Sequence, residues 1–135
     1  MLTKGAIIMK YIDLSNGEWK IMNLLWESSP LTITMLTADL KEKTGWTKHT
    51  VITMLSRMEK KGAVRFEEGS RAKQYYPNIS KEQVSYTETK GFLDKVYNGS
   101  LSMMVNAMVE QDSLTKDEID ELYGILKKAE EEKYD

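Results

Sequence analysis

The sequence predicts a mainly helical (α+β) chain, in which three short helices lead into a β-hairpin and more helices follow it. Helix-capping motifs stand before segments whose apolar residues recur every three or four positions. Between residues 63 and 76 that spacing gives way to β-branched and aromatic residues around a Gly-Ser pair. With 41% of its 135 residues hydrophobic, the chain can build one core, or one core and a small second one.

The first predicted helix runs from Asn16 to about Glu27. Ser15-Asn-Gly-Glu18 is a capping box, in which the Ser oxygen accepts an unpaired helix N–H and the Glu reaches back to the Ser backbone. Ser28-Ser29-Pro30 ends the helix, because a proline disfavours helical backbone at the residue before it. Residues at three- and four-residue steps form one apolar face: Trp19, Met22, Leu25 and Trp26.

Two further helices are predicted before the hairpin. Thr32 can cap the second helix, and Gly45 can end it in the left-handed conformation. Its inward residues are Ile33, Leu36 and Leu40. Thr47 can cap the third helix, which runs to about Lys61 and stops at Gly62. Its buried stripe is Val51, Leu55 and Met58.

The hairpin is predicted from two short segments, Ala63 to Glu68 and Arg71 to Tyr76, with Gly69-Ser70 as a tight turn and Pro77 closing it. Arg71 and Lys73 are expected to point outward, while Tyr75 faces the core. Glu67 and Glu68 would repel phosphate. Any contact that the hairpin makes with a polyanion is therefore expected from its second strand.

Three helices are predicted after residue 79. A capping box at Ser80-Lys-Glu-Gln83 starts the first, which ends at Asn98-Gly99. The second, Leu101 to Val109, is short and very apolar. The third follows a capping box at Thr115-Lys-Asp-Glu118. Its apolar stripe is Ile119, Leu122, Leu126 and Ala129.

Composition excludes several classes of protein. The chain has no cysteine, hence no disulfide, thiolate metal site or cysteine nucleophile, and its one histidine, His49, cannot build a zinc site alone. No paired general acid and base stands out, so we expect neither an enzyme nor a cofactor. No run of about 18 apolar residues occurs. We therefore expect a cytoplasmic protein without membrane insertion.

Charge is unevenly distributed along the chain. Residues 1–79 hold 12 Lys/Arg and 8 Asp/Glu, a net charge of +4, whereas residues 80–135 hold 7 and 13, a net charge of −6. Residues 41–77 alone have a net charge of +5. A basic half joined to an acidic half favours one half meeting a polyanion. Uneven scatter by chance is the alternative.

Three helices followed by a two-stranded hairpin are the plan of a winged helix-turn-helix. In this plan the third helix packs on the first two and presents its other face to the DNA major groove. That face carries no acid before Glu59, which is unusual for a merely solvated surface. Ile52 on it can contact a thymine methyl. With the two hairpin residues, the predicted DNA contacts are Lys48, His49, Thr50, Ile52, Thr53, Ser56, Arg57, Lys60, Arg71 and Lys73.

The helices after residue 79 carry more apolar residues than one short helix pair can cover. A symmetric second copy could bury them, and methionines suit such an adaptable interface. The alternative is that this region folds back on the winged helix. We expect a tail at residues 1–9, a winged-helix DNA-binding domain at 10–79 and a helical dimerisation domain at 80–135. The predicted dimer residues are Phe92, Val96, Leu101, Met104, Val105, Met108, Val109, Leu122 and Leu126.

Several motifs follow one another in an order that is typical of one family. They are Trp46-Thr-Lys-His-Thr50, Arg57-Met-Glu-Lys-Lys-Gly62, Tyr75-Tyr-Pro77 and Phe92-Leu-Asp-Lys-Val-Tyr97. With these motifs the chain resembles the penicillinase-repressor family, of the BlaI and MecI type and related to the copper-responsive CopY repressors. The resemblance covers about residues 10 to 128.

The resemblance implies a dimeric repressor that binds a palindromic operator and controls β-lactam resistance or related genes. It assigns Thr50, Thr53 and Arg57 to the recognition helix. It further implies a sensor protease, acting directly or indirectly, and cleavage in the dimerisation region. The family's Asn-Phe cleavage bond falls at Ala107-Met108 here, with Asn106 one place early.

The chain departs from the family pattern at two other points. The family often has Ser-Pro-Lys-Thr where this chain has Thr47-Lys48-His49-Thr50, which bears on the operator sequence. The C-terminal cysteine cluster of the copper-responsive members is absent, which excludes copper-thiolate sensing. A winged-helix protein-interaction module that has lost DNA binding is the alternative function, but such a module has no reason to exclude acids from the outward face of the third helix before Glu59.

Overall fold

The computed structural model describes residues 12–134, so the predicted tail at residues 1–9 lies outside the described residues. The predicted mainly helical α+β fold class is confirmed. The elements that the described residues form are α1 (Asn16–Glu27), α2 (Ile33–Thr44), α3 (Lys48–Lys60), β1 (Val64–Glu68), β2 (Lys73–Pro77), α4 (Lys81–Tyr97), α5 (Leu101–Glu110) and α6 (Lys116–Lys133). The chain divides into two units between Thr87 and Glu88, within α4. The predicted domain boundary after residue 79 stays a prediction.

Side-chain caps set the starts of the helices. The side chains of Ser15, Thr32 and Thr47 each accept the N–H of the third residue along, as predicted. The capping boxes of Ser15 with Glu18 and of Thr115 with Glu118 are both complete. Before α4 the pairing differs from the predicted box. The Ser80 hydroxyl accepts the backbone N–H of Gln83 and donates to the Glu82 carboxylate at 3.0 Å.

The first unit has a core between its three helices and its hairpin. The deepest residues of α1 are Ile21, Met22 and Leu25, whereas Trp19 and Trp26 are half-buried at the edge of the core. The two indoles meet edge to face at 5.8 Å, and the Trp26 Nε1–H donates to the Ile79 carbonyl at 3.0 Å. A large ring with a polar N–H favours this position, since the N–H needs a partner. The other core residues are Leu14, Leu31, Leu36, Leu40, Val51, Met54, Leu55, Met58, Ala63, Val64 and Tyr75.

The hairpin has a longer connection than predicted. β1 and β2 pair antiparallel from Val64–Pro77 to Glu68–Lys73, which leaves residues 69–72 as the loop. The Gly69 N–H donates to the Ala72 carbonyl at 3.0 Å, and a Cβ on Gly69 would lie 2.4 Å from that oxygen. Arg71, predicted on the second strand, therefore lies in the loop, because this bond closes a four-residue connection.

Leu31 adds a short third segment to the sheet. Its N–H donates to the Tyr75 carbonyl at 3.1 Å, and the Tyr75 N–H donates to the Leu31 carbonyl at 2.9 Å. The Leu31 side chain is buried in the same core. The start of α2 is thus tied to β2 by both backbone and side chain.

The second unit, from Glu88 onward, buries little of its apolar surface. Asn98 and Gly99 have positive φ and separate α4 from α5, with the Gly99 N–H donating to the Leu93 carbonyl at 2.9 Å. In the described part of this unit, Leu93 is the one buried hydrophobic residue. Neither α5 nor α6 buries a side chain. Within residues 12–134, none of the helices has the length and apolarity needed to cross a membrane.

Candidate nucleic-acid interface

Helix α3 presents one buried face and one polar face. Val51, Leu55 and Met58 are buried as predicted, and Met54 joins them. The outward residues of the prediction are exposed, except for Thr50, which is half-buried. Thr50 also has a local partner, since its Oγ1 lies 3.2 Å from Oγ1 of the capping Thr47. The Thr50 hydroxyl is therefore partly engaged at the helix start, whereas Thr53 and Ser56 present theirs to solvent.

A shallow depression of about 370 Å³ runs along the outward face of α3. It combines a partly exposed aliphatic side chain with hydroxyls and two cations, and Ile52 is 42% exposed. Such a surface offers hydrogen-bond donors, acceptors and an apolar contact within two helical turns, which are the groups that read base edges. The lining residues are Ile52, Thr53, Ser56, Arg57 and Lys60.

An ion pair holds the C-terminal end of α3 against the start of α1. Lys61 directly follows α3, and its Nζ lies 2.7 Å from Glu18 Oε1 and 2.7 Å from the Asp13 carbonyl oxygen. Glu18 Oε1 also accepts the Ser15 N–H at 2.9 Å. The Glu18 side chain is only 1% exposed. The capping carboxylate of α1 therefore fixes α3 as well, which sequence reasoning missed because the partners lie 43 residues apart.

Opposing effects act on the Glu18 carboxyl. Burial raises its pKa, while the Lys61 hydrogen bond, the Ser15 N–H and the charges of Lys61 and Arg57 lower it. The net result is that the pKa of Glu18 lies below its ordinary value of 4.5. The stability that this shift contributes is present above that ordinary pKa and is lost as the pH falls through the lowered value.

Lys61→Met is expected to lower the free energy of unfolding by about 2–3 kcal/mol at neutral pH, since it leaves a buried carboxylate without its cation. The figure is below the range for fully buried pairs because the Lys61 side chain is 31% exposed. The deficit should shrink as the pH falls through the lowered pKa of Glu18, where the wild-type carboxylate becomes protonated and loses its ion pair. Urea unfolding at several pH values measures both effects. Lys20→Met on the exposed side of α1 is the control, and equal losses in the two variants would contradict the role of the pair.

The hairpin places its cations on different faces. Side chains alternate along a strand, so Lys73 lies on the same face as Tyr75, and its ammonium sits 4.1 Å from the centroid of the Phe66 ring. Lys73 is exposed at the end of the strand, as predicted, but it shares the face of Tyr75 and does not alternate with it. Arg65 is the cation on the outer face, and sequence reasoning missed it. Arg71 is exposed in the loop.

The predicted dimer residues lie in the second unit, and most of them are exposed. Met104 and Val105 are half-buried. Exposed apolar side chains that the prediction did not include are Met103, Tyr123, Ile125 and Tyr134. Tyr123 and Ile125 lie outside the apolar stripe that spacing predicted for α6. Only their exposure in the structure identifies them as part of the exposed apolar surface.

Three helices, a two-stranded wing and an outward third-helix face with three cations define this protein as a winged helix-turn-helix protein. The sequence pattern of the penicillinase repressor family matches residues 14–128. The chain belongs to that family, as the sequence motifs predicted.

The chain is similar to several individual proteins of known sequence or structure. The methicillin resistance regulatory protein MecI of Staphylococcus aureus (strain N315) is 30% identical over 119 residues, which cover 88% of this chain and 97% of MecI. A penicillinase repressor of Bacillus licheniformis is 33% identical over 124 residues, which cover 92% of this chain and 97% of that protein. A solved structure of monomeric Bacillus licheniformis BlaI in complex with the blaP half-operator is 30% identical, covers 54% of this chain and 89% of that chain, and has a TM-score of 0.48.

Proposed function

We propose that this chain is a dimeric transcriptional repressor that binds a palindromic double-stranded operator through its winged helix. The outward face of α3 is the observation that supports DNA binding most directly. It presents hydroxyls, an imidazole and cations, with Glu59 as its one acid. The names of the relatives, repressors and a resistance regulator, support the same role.

The face divides into two kinds of contact. Arg57 and Lys60 follow one another along the last turns of α3, and both are suited to phosphate. His49 and Thr53 lie nearer the N-terminal end, which in helix-turn-helix proteins approaches the base edges. Ile52 between them can meet a thymine methyl. The cations would give affinity for any DNA, and the remaining residues would give preference for a sequence.

Dimerisation is supported by the exposed apolar side chains of the second unit. Phe92 is 46% exposed, Leu101 56% and Leu126 62%, and no side chain of α5 or α6 is fully buried. An apolar surface of this kind favours a symmetric contact with a second copy. Two winged helices would then read two half-sites of one operator.

The names of the relatives suggest which genes this chain regulates. We propose that the protein acts in the cytoplasm and represses genes of β-lactam resistance or related functions. Cleavage of the Ala107-Met108 bond would relieve the repression. This bond lies within α5, and Met108 is 41% exposed. Cleavage there would require local unwinding of α5 and would separate α6 from the rest of the chain. A sensor protease would act directly or through an intermediate.

We expect Arg57→Ala to weaken binding to all DNA, whereas Thr53→Ala and His49→Ala should lower discrimination by about 1–3 kcal/mol at the affected base step. Thr50→Ala should also lower discrimination, provided that the wild-type Thr50 hydroxyl exchanges its contact with Thr47 for one with a base. The measurement is competition between random DNA and the duplex that flanks the protein's own coding region. Lys20→Ala on α1 is the matched control.

The outcomes separate the alternatives. Full discrimination in the threonine and histidine variants would contradict the assignment of α3 as the recognition helix. A folded wild-type chain that binds neither duplex at low salt would overturn DNA binding and leave the protein-interaction module.

A further inference from the structure

The outer face of the wing carries a cation that is already held in place. Arg65 lies opposite Tyr76 in the hairpin register, and Glu67 lies opposite Gln74, so these four residues share one face. Phe66 and Tyr75 occupy the other face and pack together at 5.7 Å. The outer face is therefore separate from the core and from Lys73.

Two contacts fix the guanidinium of Arg65. Its Cζ lies 4.3 Å from the centroid of the Tyr76 ring, and its Nη1 lies 2.9 Å from Glu67 Oε2. A stacked guanidinium keeps its N–H edge in the plane where a carboxylate or a phosphate binds. In this structure the Glu67 carboxylate occupies part of that edge.

The pair is open to solvent, with 47% of the Arg65 side chain and 59% of the Glu67 side chain exposed. Exposed pairs of this kind are weak, so an incoming anion can replace the carboxylate. A DNA phosphate is the natural competitor because its two unesterified oxygens bind the same N–H edge, and the neighbouring phosphates of the duplex add to the negative potential around it.

We propose that Arg65 is a DNA-backbone contact of the wing, and that Glu67 is an internal competitor that occupies Arg65 in the free protein. This inference rests on the proposed function. On binding, the Arg65 guanidinium exchanges the Glu67 carboxylate for a DNA phosphate while remaining stacked on Tyr76. Glu67 thereby lowers the affinity of the wing for DNA.

A double-mutant cycle tests the competition. The four full-length chains are wild type, Arg65→Gln, Glu67→Gln and the double variant, and the probe is a random-sequence duplex at low salt. Because an exposed pair is worth about a two- to fivefold change in an equilibrium constant, we expect Glu67→Gln to tighten binding by about that factor. Arg65→Gln should weaken binding and reduce the salt slope by about one.

Glu68→Gln is the matched control, since it removes the same charge one residue further along, at the loop end of β1. We expect it to tighten binding less than Glu67→Gln does. When Arg65 is already replaced by Gln, the increase in DNA affinity caused by Glu67→Gln should be no larger than the increase caused by Glu68→Gln. Circular dichroism checks that each chain is folded.

The possible results distinguish competition for Arg65 from simple charge repulsion by Glu67. If Glu67→Gln tightens binding equally with and without Arg65, the carboxylate acts only by repelling DNA and the competition is overturned. If the Arg65→Gln variant binds the duplex as tightly as wild type does, Arg65 does not contact the DNA backbone. If no folded chain binds the duplex, the proposed function itself fails, which is a distinct outcome.

Discussion

Replacing Leu101 and Met108 with glutamate is expected to lower operator affinity by about 10²–10⁴-fold, although neither residue touches DNA in the proposed complex. Both residues are exposed in the single chain, at 56% and 41%, so the substitutions should leave its fold intact. Charges placed on this surface would prevent a second copy from covering it. Each winged helix would then bind its half-site alone.

The measurement combines sedimentation with operator titration. Ser102→Glu with Asn106→Glu is the matched control, because it adds the same charge to other exposed positions of α5. The control should stay dimeric and bind as wild type does. If the Leu101 and Met108 variant remains dimeric, the dimer surface lies elsewhere. If it is monomeric and folded but binds the operator as tightly as wild type, DNA affinity does not depend on the dimer.

Raising the salt concentration from about 50 to about 200 mM is expected to weaken operator binding about a thousandfold or more, as several phosphates per half-site are neutralised. The cations involved are exposed on α3 and on the wing: Lys48, Arg57, Lys60, Arg65 and Arg71. Mobility-shift titrations at several salt concentrations give the slope. Arg57→Ala should reduce it, whereas Lys20→Ala should not. A flat response would contradict phosphate binding by these side chains.

Local signals made much of the fold predictable. Ser15, Thr47 and Thr115 cap helices because of residues within one turn, so the sequence around each is sufficient. Spacing placed Val51, Leu55 and Met58 on the buried face of α3 but left out Met54. Leu31 gave no signal, because a single bridging residue is too short to show strand alternation.

The exposed residues of the candidate site were more predictable than the contacts that hold α3 and the wing in place. The predicted outward side chains of α3 are exposed, apart from the half-buried Thr50. The Glu18–Lys61 pair depends on long-range packing that no local pattern reveals. The wing was harder, since a hydrogen bond between Gly69 and Ala72 set the loop length. The shared face of Lys73 and Tyr75 follows from their spacing, because residues two apart on a strand point to the same side.

The positions of the indole rings have a spectroscopic consequence. Trp19 and Trp26 form one edge-to-face pair, and Trp46 is half-buried just before α3. All three tryptophans of the chain therefore lie in the first unit, and the second unit contains none. Tryptophan emission reports on the winged helix alone, whereas far-ultraviolet circular dichroism reports on the helices of both units. Comparing the two signals during denaturation would show, without any label, whether the winged helix unfolds together with the C-terminal helices or independently of them.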